Sequence, residues 1–289
     1  MTILGAHMSI AGGYYKAIAS GVQETCDCVQ LFTKNNNQWK AKLITDDDAE
    51  RFHEQLDIHH ITHTLSHASY LINMGSPKDE LWRKSIDAFI IELQRADQLR
   101  IPYVVVHPGA FTTSTEAEGI SRIAEALNEV HRQTKGISSQ CLLETTAGQG
   151  TNLGWNFEQL AEMIDQCQNP DLVGICADTC HKFAAGYNLC DEAVYHDIWE
   201  EFDKLIGLEK MKAFHLNDSK KEFASRKDRH EHIGQGHMGL APFRFLINDP
   251  RFDGVPMYLE TAKGDADGEY EGMSWDAANL KILRGLIEP

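Results

Sequence analysis

The sequence predicts an α/β protein folded as a single (β/α)8 TIM barrel, with a metal site at the C-terminal ends of its strands. Three observations carry that expectation. The chain is 289 residues long, where barrels of this class typically run to about 250. Apolar, β-branched stretches alternate with helical patterns along its whole length. Most of those stretches end on a potential metal ligand.

The expected strands are Ile3 to His7, Cys28 to Phe32, Thr62 to His67 and Tyr103 to His107. They continue with Gln140 to Glu144, Val173 to Asp178, Met211 to His215 and Pro256 to Glu260. Between them lie helical segments, among them Pro77 to Leu99, Thr115 to His131 and Asn156 to Cys167. In Asp191 to Ile206, the apolar Val194, Ile198, Phe202 and Leu205 fall at helical spacing. Strands alternating with helices imply a parallel sheet, and eight such units imply a closed barrel. No linker or low-complexity tract interrupts the pattern, so one domain over residues 1–289 is expected.

Hydrophobic content of 42% and charged content of 24% are those of a soluble globular protein. No run of about 18 apolar residues predicts a transmembrane span. The opening residues, Met1 to His7, lack a basic region followed by an apolar stretch, so no secretory signal is expected. Cys26 and Cys28 read as one strand with both thiols on one face. The seven cysteines have no framework spacing and read as buried and reduced, which fits a cytoplasmic location. The net charge of −16 argues against nucleic acid on its face, because such proteins usually carry a basic surface.

Seven of the eight stretches close on a histidine or carboxylate: His7, His67, His107, Glu144, Asp178, His215 and Glu260. One such residue simply meets water; seven together are not explained by packing. In a barrel the C-terminal strand ends form the active-site face, so these side chains converge on one mouth. Asp178 and His181 stand three apart as a strand leaves the barrel. Asp228 and His230 stand two apart in an extended loop and point the same way. The inventory of His67, His107, His181, His215, His230, Glu144, Asp178, Asp228 and Glu260 suits zinc or another borderline divalent ion. It exceeds what one tetrahedral site needs. Clustered metals suit phosphoryl chemistry.

Nine short motifs, in order, resemble the endonuclease IV family over essentially the whole chain. They are Gly5-Ala6-His7 with Gly12-Gly13, Leu31 to Asn35, His67 to Asn73, His107-Pro108-Gly109 and Glu144 to Gly150. The others are Asp178-Thr179-Cys180-His181, His215 to Lys220, Ser225 to His230 and Leu259-Glu260-Thr261. The resemblance implies a barrel holding three zinc ions, with manganese an option in one site. By that resemblance, His67, His107 and Glu144 would hold one ion. Glu144, Asp178, His215 and Glu260 would hold a second, with Glu144 bridging as the key catalytic carboxylate. His181, Asp228 and His230 would hold the third. His7 is not a family ligand and reads as a supporting residue.

The reaction so implied is hydrolysis of the phosphodiester 5′ to an abasic site in duplex DNA, leaving a 3′-hydroxyl and a 5′-deoxyribose phosphate. Repair of blocked 3′ ends is implied as well. Zinc-activated water would attack phosphorus without a separate protein base. Recognition would rest on flipping the abasic sugar from the duplex, with Tyr70 and Leu71 wedged into the base stack. Asn37 stands in a second DNA-probing loop where well-known family members carry a basic residue. Lys220, Lys221, Arg226, Lys227 and Arg229 cluster in the loop after the seventh strand, where Lys220, Arg226 and Arg229 would meet phosphates. Three zinc ions would bring the charge of −16 to about −10, leaving the acidic bulk for the outer helices. No membrane and no obligate protein partner are expected, so the chain reads as a monomer. The rival readings are a metal-dependent sugar isomerase or epimerase on the same barrel, and a non-catalytic binder of zinc or abasic DNA.

Overall fold

The computed structural model describes residues 2–288. Seven strands come first: β1 (Ile3–Met8), β2 (Cys28–Phe32), β3 (His63–His67), β4 (Tyr103–Val106), β5 (Gln140–Glu144), β6 (Val173–Asp178) and β7 (Met211–His215). The two-residue strands β8 (Asp218–Ser219) and β9 (His230–Glu231) pair only with each other, and β10 (Pro256–Leu259) follows. The barrel closes in the order β1-β10-β7-β6-β5-β4-β3-β2, every pair parallel.

Helices α1 (Tyr14–Gln23), α2 (Asp46–His59), α3 (Asp79–Gln98), α4 (Glu116–Gln133) and α5 (Phe157–Asp165) alternate with the first strands. The short α6 (Thr179–Ala185) precedes α7 (Glu192–Leu205), and α8 (Ala241–Ile247) and α9 (Trp275–Arg284) complete the ring. Local chemistry starts them. Thr45 and Thr115 form capping boxes with Asp48 and Glu118, satisfying backbone donors that a helix start leaves orphaned. In α4, Ile120, Ile123, Ala124, Leu127 and Val130 are buried at helical spacing against the barrel. No helix among the described residues is long and apolar enough to cross a membrane.

Strand bounds match the sequence reading closely, with His107 and Glu260 just beyond the last strand residue of β4 and β10. One expectation fails. Cys26 and Cys28 do not share a strand: Cys26 precedes β2 and packs in the layer between barrel and helices, while Cys28 faces the lumen. The chain turns at Asp27, whose amide and carboxylate both bond the backbone of Leu4. All seven cysteines are free and six are buried.

The lumen is packed by Cys28, Leu65, Val105, Leu142, Cys176, Ala213 and Tyr258. On β1 the matching position is Gly5, where a Cβ would collide with the Cys28 backbone carbonyl. The glycine therefore lets β1 close against β2.

Candidate metal centre

Strand side chains alternate between faces, so the residue two places after each lumen residue also points inward, one layer nearer the mouth. Applied to the lumen set, that count yields Gln30, His67, His107, Glu144, Asp178, His215 and Glu260, and from Gly5 it yields His7. The barrel thus raises a ring of eight polar side chains on its apolar plug. A register shift between Ile175 and Cys176 brings Asp178 level with His215 on the next strand, and such irregularities recur beside active sites.

Glu144 stands at the centre, fully buried. Its Oε2 lies 3.0 Å from His67 Nε2 and 3.1 Å from His107 Nε2. Its Oε1 lies 3.0 Å from His215 Nδ1, which is also 3.3 Å from Glu260 Oε2. One oxygen therefore faces each of two donor groups: His67, His107 and Glu144, and Glu144, Asp178, His215 and Glu260. Burial works against ionisation of Glu144, but His107 and His215 outweigh it and hold the carboxyl well below its usual range. Glu260 is brought to about 2 in the same way, burial being overcome by His215 and His67.

A third group lies nearer solvent. His181 Nε2 and His230 Nε2 are 3.4 Å apart. Asp228 reaches both, with Oδ2 at 3.1 Å from His181 and Oδ1 at 3.3 Å from His230. Asp178 also approaches His230, at 3.5 Å. The Cys180 thiol borders this group; burial pushes it up to about 12, so it stays a neutral thiol there. His67, His181 and His215 are buried, while His107 and Asp228 side chains are 27% and 41% exposed. Access is from the His107 and Asp228 side.

The donor chemistry fits divalent cations. Nδ1 of His67 and of His181 each sits 2.8 Å from a backbone carbonyl, of Ala68 and Thr145. A carbonyl only accepts, so each Nδ1 carries the proton and each Nε2 presents a lone pair. Those lone pairs face carboxylate oxygens, an arrangement that needs a cation or a second proton between them. His215 is held the other way: its Nε2 donates to Gln30 Oε1 at 2.7 Å, leaving Nδ1 for the centre. Outer partners of this kind fix the tautomers of metal-ligating histidines.

Gln30 and Asn217 are the supporting residues that strand-end reading missed. The Gln30 amide donates to Glu260 Oε1 at 2.5 Å and to His7 Nδ1 at 2.9 Å while accepting from His215. Asn217 donates to Asp178 Oδ2 at 2.7 Å and accepts the Glu260 amide at 2.9 Å. Burial lowers His7 to about 3, so it is a neutral acceptor at the edge of the ring. A cavity of about 800 Å³ lies elsewhere, between α3 and α4. The converging donors, not cavity size, mark the mouth as the site.

A family model described as a xylose isomerase-like TIM barrel matches residues 21–281. Across 288 residues the chain is 47% identical to the probable endonuclease 4 of Geobacter sp. (strain M21), covering all of both chains. The chain belongs to the endonuclease IV family. It is 47% identical to the probable endonuclease 4 of Chloroflexus aggregans, covering 99% of this chain and 98% of that one. Endonuclease IV of Thermus thermophilus superposes with a TM-score of 0.84 at 32% identity, 98% of each chain being covered. A D-tagatose 3-epimerase-like protein superposes at 0.71 with 16% identity, covering 99% and 97%; that likeness is of fold alone.

The loops that carry the endonuclease IV motifs surround the mouth. Tyr70 is 53% exposed, its ring 5.2 Å from that of His67 and 5.8 Å from that of His107. Leu71 beside it is half-buried, and Asn37 is exposed with its amide bonded to Asn35 Oδ1. Arg226 stacks its guanidinium 3.7 Å over the Trp155 ring. A Cβ at Gly148, whose φ is +68°, would strike both. Lys220 and Arg229 are exposed and face each other across the β8–β9 pair, joined by a backbone bond of 2.9 Å. The predicted ligands thus meet in one cluster. Of the predicted DNA contacts, Tyr70 stands beside two predicted ligands, and Lys220 and Arg229 flank the β8–β9 pair that carries His230.

Proposed function

We propose that this chain is a zinc-dependent DNA-repair endonuclease that hydrolyses the phosphodiester 5′ to abasic sites, leaving a 3′-hydroxyl and a 5′-deoxyribose phosphate. It also clears blocked 3′ ends. The observation that carries this reading is Glu144, whose two oxygens face separate, adjoining donor groups. That pattern, with its large ligand set, serves clustered ions better than the smaller ligand set of a sugar epimerase.

Three zinc ions, one of them replaceable by manganese, would be held by the ligands His67, His107, Glu144, Asp178, His215, Glu260, His181, Asp228 and His230. Bound there, they supply Lewis acidity and water activated near neutral pH. The chain's own groups do the rest. Glu144 sets the spacing between the first two groups. Gln30 and Asn217 hold His215, Glu260 and Asp178 in orientation. Tyr70 and Leu71 enter the base stack, at low cost where a base is missing, and Asn37 contacts DNA by hydrogen bonding alone. Lys220, Arg226 and Arg229 bind phosphates. The enzyme works as a monomer in the cytoplasm.

Elemental analysis of the purified protein tests the reading. Three zinc equivalents per chain are expected. One or two equivalents would favour the epimerase, and none would favour a passive binder.

A further inference from the structure

Glu92 lies in the middle of α3, 1% exposed and outside the metal centre. A buried carboxylate is costly unless fully partnered, and Glu92 is. Lys34 Nζ lies 3.2 Å from its Oε1, to which the Ser69 amide also donates at 3.2 Å. Thr33 Oγ1 donates to Oε2 at 2.9 Å. All three partners sit where the chain leaves β2 or β3. The first loop carries Asn37; the second carries Tyr70 and Leu71.

Further bonds tie the two loops. Ser69 Oγ donates to the Asn36 carbonyl at 2.6 Å. Lys34 Nζ donates to the Gln38 carbonyl at 2.8 Å. One turn along α3, Arg95 donates to the carbonyls of Thr33 at 2.5 Å and Lys42 at 2.6 Å, gathering both ends of the β2 loop. Phe89, Leu93 and Ala96 already pack α3 on the barrel, so this network is not needed to hold the helix.

We infer that Glu92 is a positioning residue that locks the β2 and β3 loops into one unit, so that Asn37, Tyr70 and Leu71 meet DNA pre-ordered. Its consequence for catalysis rests on the endonuclease reading; the lock itself does not. Pre-ordered loops bind without the entropy loss of ordering on contact. The chemistry at the strand ends is untouched, so the effect falls on KM and not on kcat.

The test compares the native protein with Ser69→Ala and Glu92→Gln, the former being the milder change. Hydrogen exchange over residues 34–39 and 68–72 is expected to quicken in both segments together, by roughly tenfold or more, in each variant. KM for a duplex with one abasic site should rise roughly tenfold at constant kcat, with hydrolysis of bis(4-nitrophenyl) phosphate unchanged. If Ser69→Ala frees 68–72 but leaves 34–39 protected, or if kcat falls at constant KM, the lock is overturned. Coupled exchange in a native protein that cuts no abasic duplex would uphold the lock and sink the endonuclease reading instead.

Discussion

His215 Nε2 lies 2.7 Å from Gln30 Oε1, and this single bond decides which nitrogen of His215 faces the centre. The same amide holds Glu260 through its nitrogen, so Gln30 orients two ligands at once.

Gln30→Leu is therefore expected to weaken metal binding roughly 10- to 100-fold, as outer-shell losses typically do, with the fold intact. Titration against a competing chelator measures it. Unchanged affinity would mean that Gln30 is only a packing residue.

The metal-stripped protein should show an inverted pH response. Burial opposes a charged His181, but Asp178 and Asp228 outweigh it and raise its pKa well above 6.5. A raised folded pKa contributes stability that is fully present below the unfolded value and lost as pH rises through the folded one. Glu260, lowered to about 2, contributes stability present above about 4.3 and lost as pH falls through the folded value. Stripped protein is thus expected to be most stable between about pH 4.5 and 6.5 and to weaken on the alkaline side. Metal-loaded protein, with cations in place of protons, should not. Thermal midpoints against pH, with and without chelator, measure this. A stripped protein that stabilises from pH 6.5 upward would contradict it.

The reach of sequence reading is clear from two strands. β3 ends on His67, an inward residue, so its last residue announces the site. β2 ends on Phe32, which shares the inward face but is apolar, and the ring residue Gln30 lies two places earlier, hidden behind it. Counting faces from the lumen finds Gln30; reading strand ends does not. Asp228 and His230 were legible as a pair, whereas the Glu92–Lys34 contact joins residues far apart in sequence and leaves no local pattern. Cys26 was misplaced because the chain bends at Asp27, just before β2 begins, and alternation alone does not reveal that bend.

Arg226 is held by Trp155 at 3.7 Å, so the indole should set its reach. Arg226→Met is expected to lower duplex affinity and to reduce the salt slope by about 0.9, the value for one phosphate contact. Trp155→Leu should do the same in part. Charge reversal at Lys220 and Arg229 together should weaken binding further. Binding measured over a range of salt would expose an uninvolved loop as one with no change in slope.

Tyr70 is the exposed aromatic beside His67 and His107. Tyr70→Ala is expected to cost about 1–3 kcal/mol of binding to an abasic duplex, the worth of one stacked base. Affinity for undamaged duplex should hardly change. Equal losses on both duplexes would assign Tyr70 a general role and not lesion recognition.

The most direct test is incision of a duplex bearing one synthetic abasic site, comparing native protein, Glu144→Gln and chelator-treated protein. The account predicts a single cut 5′ to the lesion with an extendable 3′-hydroxyl, abolished in the other two and restored to the stripped protein by zinc. No cut by fully zinc-loaded native protein, or an undiminished cut by Glu144→Gln, would contradict it.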